Sequence, residues 1–142
     1  MKSILIGFLC LHLFYACNEA PDRSDTTGTS ENEVDAARNF IRLALNGKWD
    51  DARNLVVPDS LNLAYMDIAK QTYFQRLDLA TRNGYRGASI IIKSVDELSD
   101  TATVVHYANS YKRKEDSVKV VRRGGQWLID IKYSFPATEN TP

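Results

Sequence analysis

Three observations in the 142-residue sequence predict an α+β fold in which N-terminal helices pack on a curved four-stranded antiparallel sheet. From about residue 31 to Arg82 apolar residues recur with a period near 3.6, the spacing of a helix face. Beyond Gly87 they alternate every second residue in stretches rich in Val, Ile, Thr and Tyr, the spacing of half-buried strands. The separators between those stretches, "LSD", "KED" and "GG", are hairpin connections, so the strands pair antiparallel in sequence order. Helices followed by a meander bury their apolar faces as two layers.

The chain opens outside that fold. Lys2 precedes an uncharged stretch from Ile4 to Ala16, laid out as a signal peptide with a short basic region and an apolar region. The stretch falls short of the roughly 20 apolar residues that cross a bilayer, so residues 1–16 are expected to be removed rather than to span. Phe14-Tyr15-Ala16-Cys17 resembles a bacterial lipobox, with a small residue just before the cysteine, although Phe14 and Tyr15 depart from the usual Leu and small residue. The resemblance implies a diacylglyceryl group on the Cys17 thiol and acylation of its freed amine. Cys10 leaves with the leader, so the mature chain keeps one cysteine and has no intramolecular disulfide. Each buried methylene adds about 0.8 kcal/mol of membrane affinity, which makes two or three acyl chains a lasting anchor. The expected location is the bacterial cell envelope. Asn18 is not the Asp that holds lipoproteins in the inner membrane of enteric-type bacteria, which favours the outer membrane. An ordinary secretory leader with an incidental cysteine is the alternative.

Residues 17–30 read as a disordered tether. Between residues 18 and 33 five acidic residues face Arg23 alone, and "NEAPDRSDTTGTS" holds nothing to bury. A flexible chain of that length spans about 20 Å, enough to clear lipid headgroups. Asp25-Thr26-Thr27 resembles the sites O-glycosylated in exported proteins of Bacteroidetes-type bacteria, which makes Thr26 the most accessible candidate for that modification. Residues 31–136 form one domain and 137–142 a short tail. From residue 34 onward 16 Lys and Arg stand against 13 Asp and Glu, a small excess spread along the chain that gives no case for a nucleic-acid partner.

Within the domain, Ser30 with Glu33 three positions later has the capping-box spacing of a helix start. Val34, Ala37, Ile41, Ala44 and Leu45 then share one face, and Gly47 ends the helix. A short second helix presents Trp49, Ala52, Leu55 and Val56 and closes at Pro58. A third, capped by Asp59 or Ser60, runs to about Arg82 and stops at Asn83-Gly84; whether it breaks near Asp67 is open on periodicity alone. Four strands follow, at about Ala88–Glu97, Ala102–Arg113, Asp116–Arg123 and Gln126–Phe135. In the last, Trp127, Ile129, Ile131 and Tyr133 form the buried face, with Asp130 and Lys132 on the solvated one.

Two motifs, "AARNFIRLALNGKWDDARNLV" from Ala36 to Val56 and "VKVVRRGGQWLIDI" from Val118 to Ile131, resemble nuclear transport factor 2-like domains, in particular small bacterial lipoproteins of unknown function with that cone-shaped, cystatin-like fold. The resemblance implies a three-helix lid over a bent sheet with a pocket between them. It spans ketosteroid isomerase-like enzymes, dehydratases, ligand carriers and interaction modules, so it selects no chemistry.

The candidate catalytic residues are few. His106, mid-strand in "ATVVHYANSY", is either a cavity base or a strand histidine bonded locally. An isomerase-type site needs an aspartate base in an apolar pocket with a proton donor opposite; Asp67 and Asp78 with Tyr65, Tyr73, Tyr107 and Tyr111 are the available pieces, and their spacing selects no pair. The tyrosines equally suit the filling of a cone-shaped core. No HxxxH, CxxC or EF-hand spacing is present, so neither a metal nor a cofactor is expected. "KRKED" and "RRGG" read as solvated hairpin tips, with a weak anionic-partner patch as the alternative. The sequence therefore points to a lipid-anchored, non-enzymatic module that takes a small hydrophobic ligand or an envelope protein in a concave cavity. A cavity enzyme and a structural subunit forming a homodimer through the outer sheet face are the alternatives.

Overall fold

A computed structural model describes residues 30–135. The leader, Cys17, Thr26 and the 137–142 tail lie outside the described residues. Four helices, α1 (Glu33–Leu45), α2 (Trp49–Arg53), α3 (Ser60–Arg76) and α4 (Leu79–Arg86), precede four strands, β1 (Ile90–Ser99), β2 (Ala102–Asn109), β3 (Glu115–Arg123) and β4 (Gln126–Asp130). A 3₁₀ turn at Ile131–Ser134 follows. The sheet is open, with strand order β1-β2-β3-β4 and every neighbouring pair antiparallel. The class is α+β, helices first and meander second.

Helix α1 starts two residues later than the Ser30 reading. Asn32 is the N-cap, its Oδ1 accepting from the Asp35 N–H at 2.9 Å, while Asp35 Oδ2 accepts from the Glu31 N–H at 3.1 Å. Asn is as good a cap as Ser, and here the reciprocal acid is Asp35, not Glu33. Ser30 Oγ instead accepts from Asn39 Nδ2 at 3.2 Å. Gly47 ends the helix as expected, at φ +75°, and a Cβ there would stand 2.9 Å from Tyr73 Cε1. Both the left-handed backbone and the close approach of the α3 ring require glycine.

The second helix is shorter than expected. It ends at Arg53, and after a turn at Asn54-Leu55 the chain runs along the edge of β4 through Val56 and Val57: Ile129 N donates to Leu55 O at 2.8 Å, and Val57 N donates to Ile129 O at 2.9 Å. One more helical turn would leave those edge groups of β4 unpaired; the extended course satisfies them and buries Val56 and Val57 as well.

The run from Ser60 to Arg82 is two helices, divided at Leu77 and not near Asp67. Leu77 is extended at ψ 127°, and Asp78 Oδ1 then accepts from the Thr81 N–H at 2.7 Å to cap α4. That bond lowers the Asp78 carboxyl pKa from its ordinary value. Asn83 and Gly84 lie inside α4, so they do not end it. Gly84 is there for space, because a Cβ would meet the Tyr111 ring at 2.5 Å.

Two register shifts in β1, at Lys93 and Leu98, mark bulges that bend the strand. Gly124 and Gly125, at φ +56° and +81°, form the β3–β4 turn; two successive left-handed residues match the twist of a two-residue hairpin. The core forms where α1 lies on the sheet, with Ala37 and Ile41 against Val105, Val118, Val120 and Ile129.

The last strand departs from the alternating reading. It stops at Asp130, and Asp130 is buried instead of solvated. The cause is a polar cluster between the start of α3 and the end of β4. Fully buried Asn62 donates through Nδ2 to Asp59 Oδ2 at 2.9 Å and to Asp130 Oδ1 at 3.1 Å, and its Oδ1 accepts from the Lys132 N–H at 3.0 Å. Lys132 Nζ lies 2.9 Å from Asp130 Oδ1 and 3.1 Å from Asp59 Oδ2. The backbone turns into its 3₁₀ course at this cluster, and Tyr133 is left substantially exposed.

Asp59 also caps α3. The Asn62 backbone N–H, with help from Lys132, holds its carboxyl at about 2, below the usual 3.8. A carboxyl depressed in the folded state contributes stability above its unfolded pKa and loses it as pH falls towards the folded value. Thermal unfolding between pH 5 and pH 2 is therefore expected to show a falling midpoint whose slope is reduced in Asp59→Ala; an unchanged slope would show that this cap carries no acid sensitivity.

Candidate functional site

Period alone places apolar residues on helix faces; the fold then leaves a stretch of apolar surface unfilled between the helices and the sheet. A cavity of about 360 Å³ opens between the helices and the sheet. α1 contributes Phe40, Ile41, Ala44 and Leu45, α2 contributes Trp49, and α3 contributes Ile68, Ala69, Thr72 and Tyr73. Leu77, Tyr85, Tyr107 and Phe135 complete the wall. The volume falls in the range of small-molecule pockets.

Helix α3 explains why the space persists. Its buried residues Asn62, Met66 and Tyr73 follow one face, but Leu61 and Ile68 are half exposed on another. A helix apolar on two sides packs one against the core and leaves the second at the cavity mouth. There Tyr65 stacks on Phe135, with ring centroids 5.0 Å apart and planes 7° apart. Deeper, Trp49 meets Tyr73 edge-on at 5.7 Å.

Of the seven catalytic candidates in the sequence, two line the cavity, Tyr73 from α3 and, on the sheet side, Tyr107. The Tyr107 hydroxyl donates to Asp116 Oδ2 at 3.4 Å, and burial together with the adjacent Asp116 charge pushes its pKa well above the ordinary phenol value. It stays protonated and is no base. Tyr65 sits at the mouth in its ring stack. Asp67 is exposed on the outside of α3, 2.6 Å from Arg53 Nη1. His106 alternates with Val105 and Tyr107, which pack on the core, and so faces the opposite side of the sheet, where its Nε2 lies 3.0 Å from Asp96 Oδ2. Asp78 is spent as the α4 cap, and Tyr73 donates to Leu45 O at 3.3 Å. Asp67, Asp78 and His106 are not brought together with a tyrosine inside the cavity, and Asp116, the aspartate that Tyr107 does meet, is exposed and not part of the lining.

The side-chain polar groups of the wall are thus the hydroxyls of Thr72, Tyr73, Tyr85 and Tyr107 and the Trp49 indole. Trp49 Nε1 is buried from water and has no partner among the described residues. No Asp, Glu, Lys, Arg or His stands in the lining. The described residues hold no group of three metal-ligating side chains and no helix long and apolar enough to cross a membrane.

Sequence reasoning did not single out Thr72, Leu77, Tyr85 or Phe135 for the site. The one available signal was that apolar residues of α3 fall on more than one face.

Fold and cavity together define an α+β domain with an apolar, charge-free pocket under its helices. No protein family, no curated protein and no solved structure matches the chain.

Proposed function

We propose that this chain is a lipid-anchored protein of the bacterial cell envelope whose domain, of the nuclear transport factor 2-like kind, binds a small apolar molecule in the cavity and does not transform it. The observation that carries the binding reading is the cavity itself: it is lined by aliphatic and aromatic side chains, and its walls hold no general base. A base must lie within about 3 Å of the proton it removes, and Asp67 and His106 both point elsewhere. The helix-then-meander order and the two motifs at Ala36–Val56 and Val118–Ile131 support the fold reading. The Phe14–Cys17 sequence and the acidic stretch after it support the anchor.

The binding reading is tested with the uncharged fluorophore N-phenyl-1-naphthylamine. Saturable one-to-one binding is expected, and Ala44→Phe, which places a ring in the cavity, should abolish it while circular dichroism stays unchanged. Absence of saturable binding to the parent protein would refute the pocket. The anchor has its own test. Cys17→Ser is expected to move the protein from the membrane to the soluble fraction, and a variant that remains in the membrane would refute lipid attachment.

A further inference from the structure

We infer that the cavity selects uncharged apolar ligands and rejects carboxylates and other anions of the same shape, an inference that rests on the pocket reading above. Three observations carry it. The lining contains no cation to pair with an anion. The hydroxyls of Tyr73 and Tyr107 donate their protons within the protein, to Leu45 O and Asp116 Oδ2, so each offers a ligand its lone pairs and not its proton. The Trp49 N–H is buried from water and so from any solvent-borne group, which leaves the uncharged Thr72 and Tyr85 hydroxyls as the side-chain donors the wall can turn to a ligand.

The electrostatics run the same way. Asp116, exposed and outside the lining, accepts from the Tyr107 hydroxyl at 3.4 Å, which sets a negative charge beside one residue of the cavity wall. A carboxylate entering here gives up its hydration, finds no cation in the lining and has the Asp116 charge beside one wall residue. A neutral ring or chain gives up only ordered water and gains contact with Phe40, Leu45, Ile68 and Tyr85. A ligand hydroxyl is tolerated, because the tyrosine oxygens accept from it.

The test displaces bound N-phenyl-1-naphthylamine from the purified protein at pH 7 with naphthalene, 2-naphthol and sodium 2-naphthoate. Naphthalene and 2-naphthol are expected to compete, with 2-naphthoate at least tenfold weaker than either. A naphthoate that competes as well as naphthol overturns the inference while leaving the pocket intact. A fluorophore that never binds removes the pocket reading, and this inference with it. Ile68→Lys supplies the missing cation at a half-exposed position that tolerates a long polar side chain. It should bring naphthoate to within about threefold of naphthol, and an unchanged preference would likewise overturn the assignment.

Discussion

Asn62→Asp is expected to destabilise the fold by about 3–5 kcal/mol at pH 7, the range for breaking a buried charged network by removing one of its partners. The change is isosteric, so packing is preserved and only the hydrogen bonding differs. Nδ2 now donates to Asp59 Oδ2 at 2.9 Å and Asp130 Oδ1 at 3.1 Å; the substituted oxygen would face two carboxylates at those distances. Lys132, already shared between Asp59 and Asp130, would have to neutralise three. The introduced carboxyl has its folded pKa raised by its like-charged neighbours, so the deficit should shrink as pH falls from 7 towards 4. Asn62→Ala removes the bridge without adding charge and should cost about 1–3 kcal/mol, with little pH dependence across that interval. Urea titrations of both variants at several pH values provide the measurement. Equal, pH-independent losses would show that the cluster is held by shape rather than by charge.

Ile41→Ala addresses the other half of the molecule. Ile41 is almost completely buried, sits on α1 in the core and also lines the cavity. Large-to-small changes of this kind cost about 2–5 kcal/mol, more where neighbours do not close over the gap. Here the vacated space joins an existing cavity, so little collapse is expected and the cost should lie in the upper half of that range. The added room gives the variant a specific property: saturating naphthalene should restore more stability to Ile41→Ala than it adds to the parent protein. Binding to the native state alone raises stability as RT ln(1 + [L]/Kd). Ile129→Ala is the control, since Ile129 is fully buried and lies outside the cavity lining. It should cost a comparable amount and gain no more from naphthalene than the parent does. Equal rescue of both variants would place the ligand somewhere other than beside Ile41.

What was legible in the sequence was what neighbours in the chain decide. Gly47, the Gly124-Gly125 turn, the change of period after Gly87 and the pairing of adjacent strands all follow from interactions within a few residues, and the structure has them. The misreadings share one cause. Leu55–Val57 looked helical because its edge-strand partner, Ile129, is far along the chain. Asp130 looked solvated because the side chain that buries it, Asn62, is 68 residues away. The division at Leu77 was hidden because Asp78 and Thr81 read as well inside a helix as at its start. The cavity is the extreme case. Its wall is drawn from every helix, from β2 and from Phe135, and no local pattern marks Thr72 or Tyr85 as facing Tyr107 across a gap.

The strip at Leu55–Val57 has a consequence for how copies of the molecule meet. An unpaired strand edge is a template for another strand, and a sheet with two such edges can add neighbours from both sides without limit. Among the described residues, this strip covers the β4 edge at Ile129, whereas the edge at β1 is bent by its bulges. A unit with a single adhesive side joins one neighbour and then stops. The strip at Ile129 thus interrupts one of the two edges through which sheet extension could continue without end, and copies joined through β1 alone would stop at a pair related by a twofold axis.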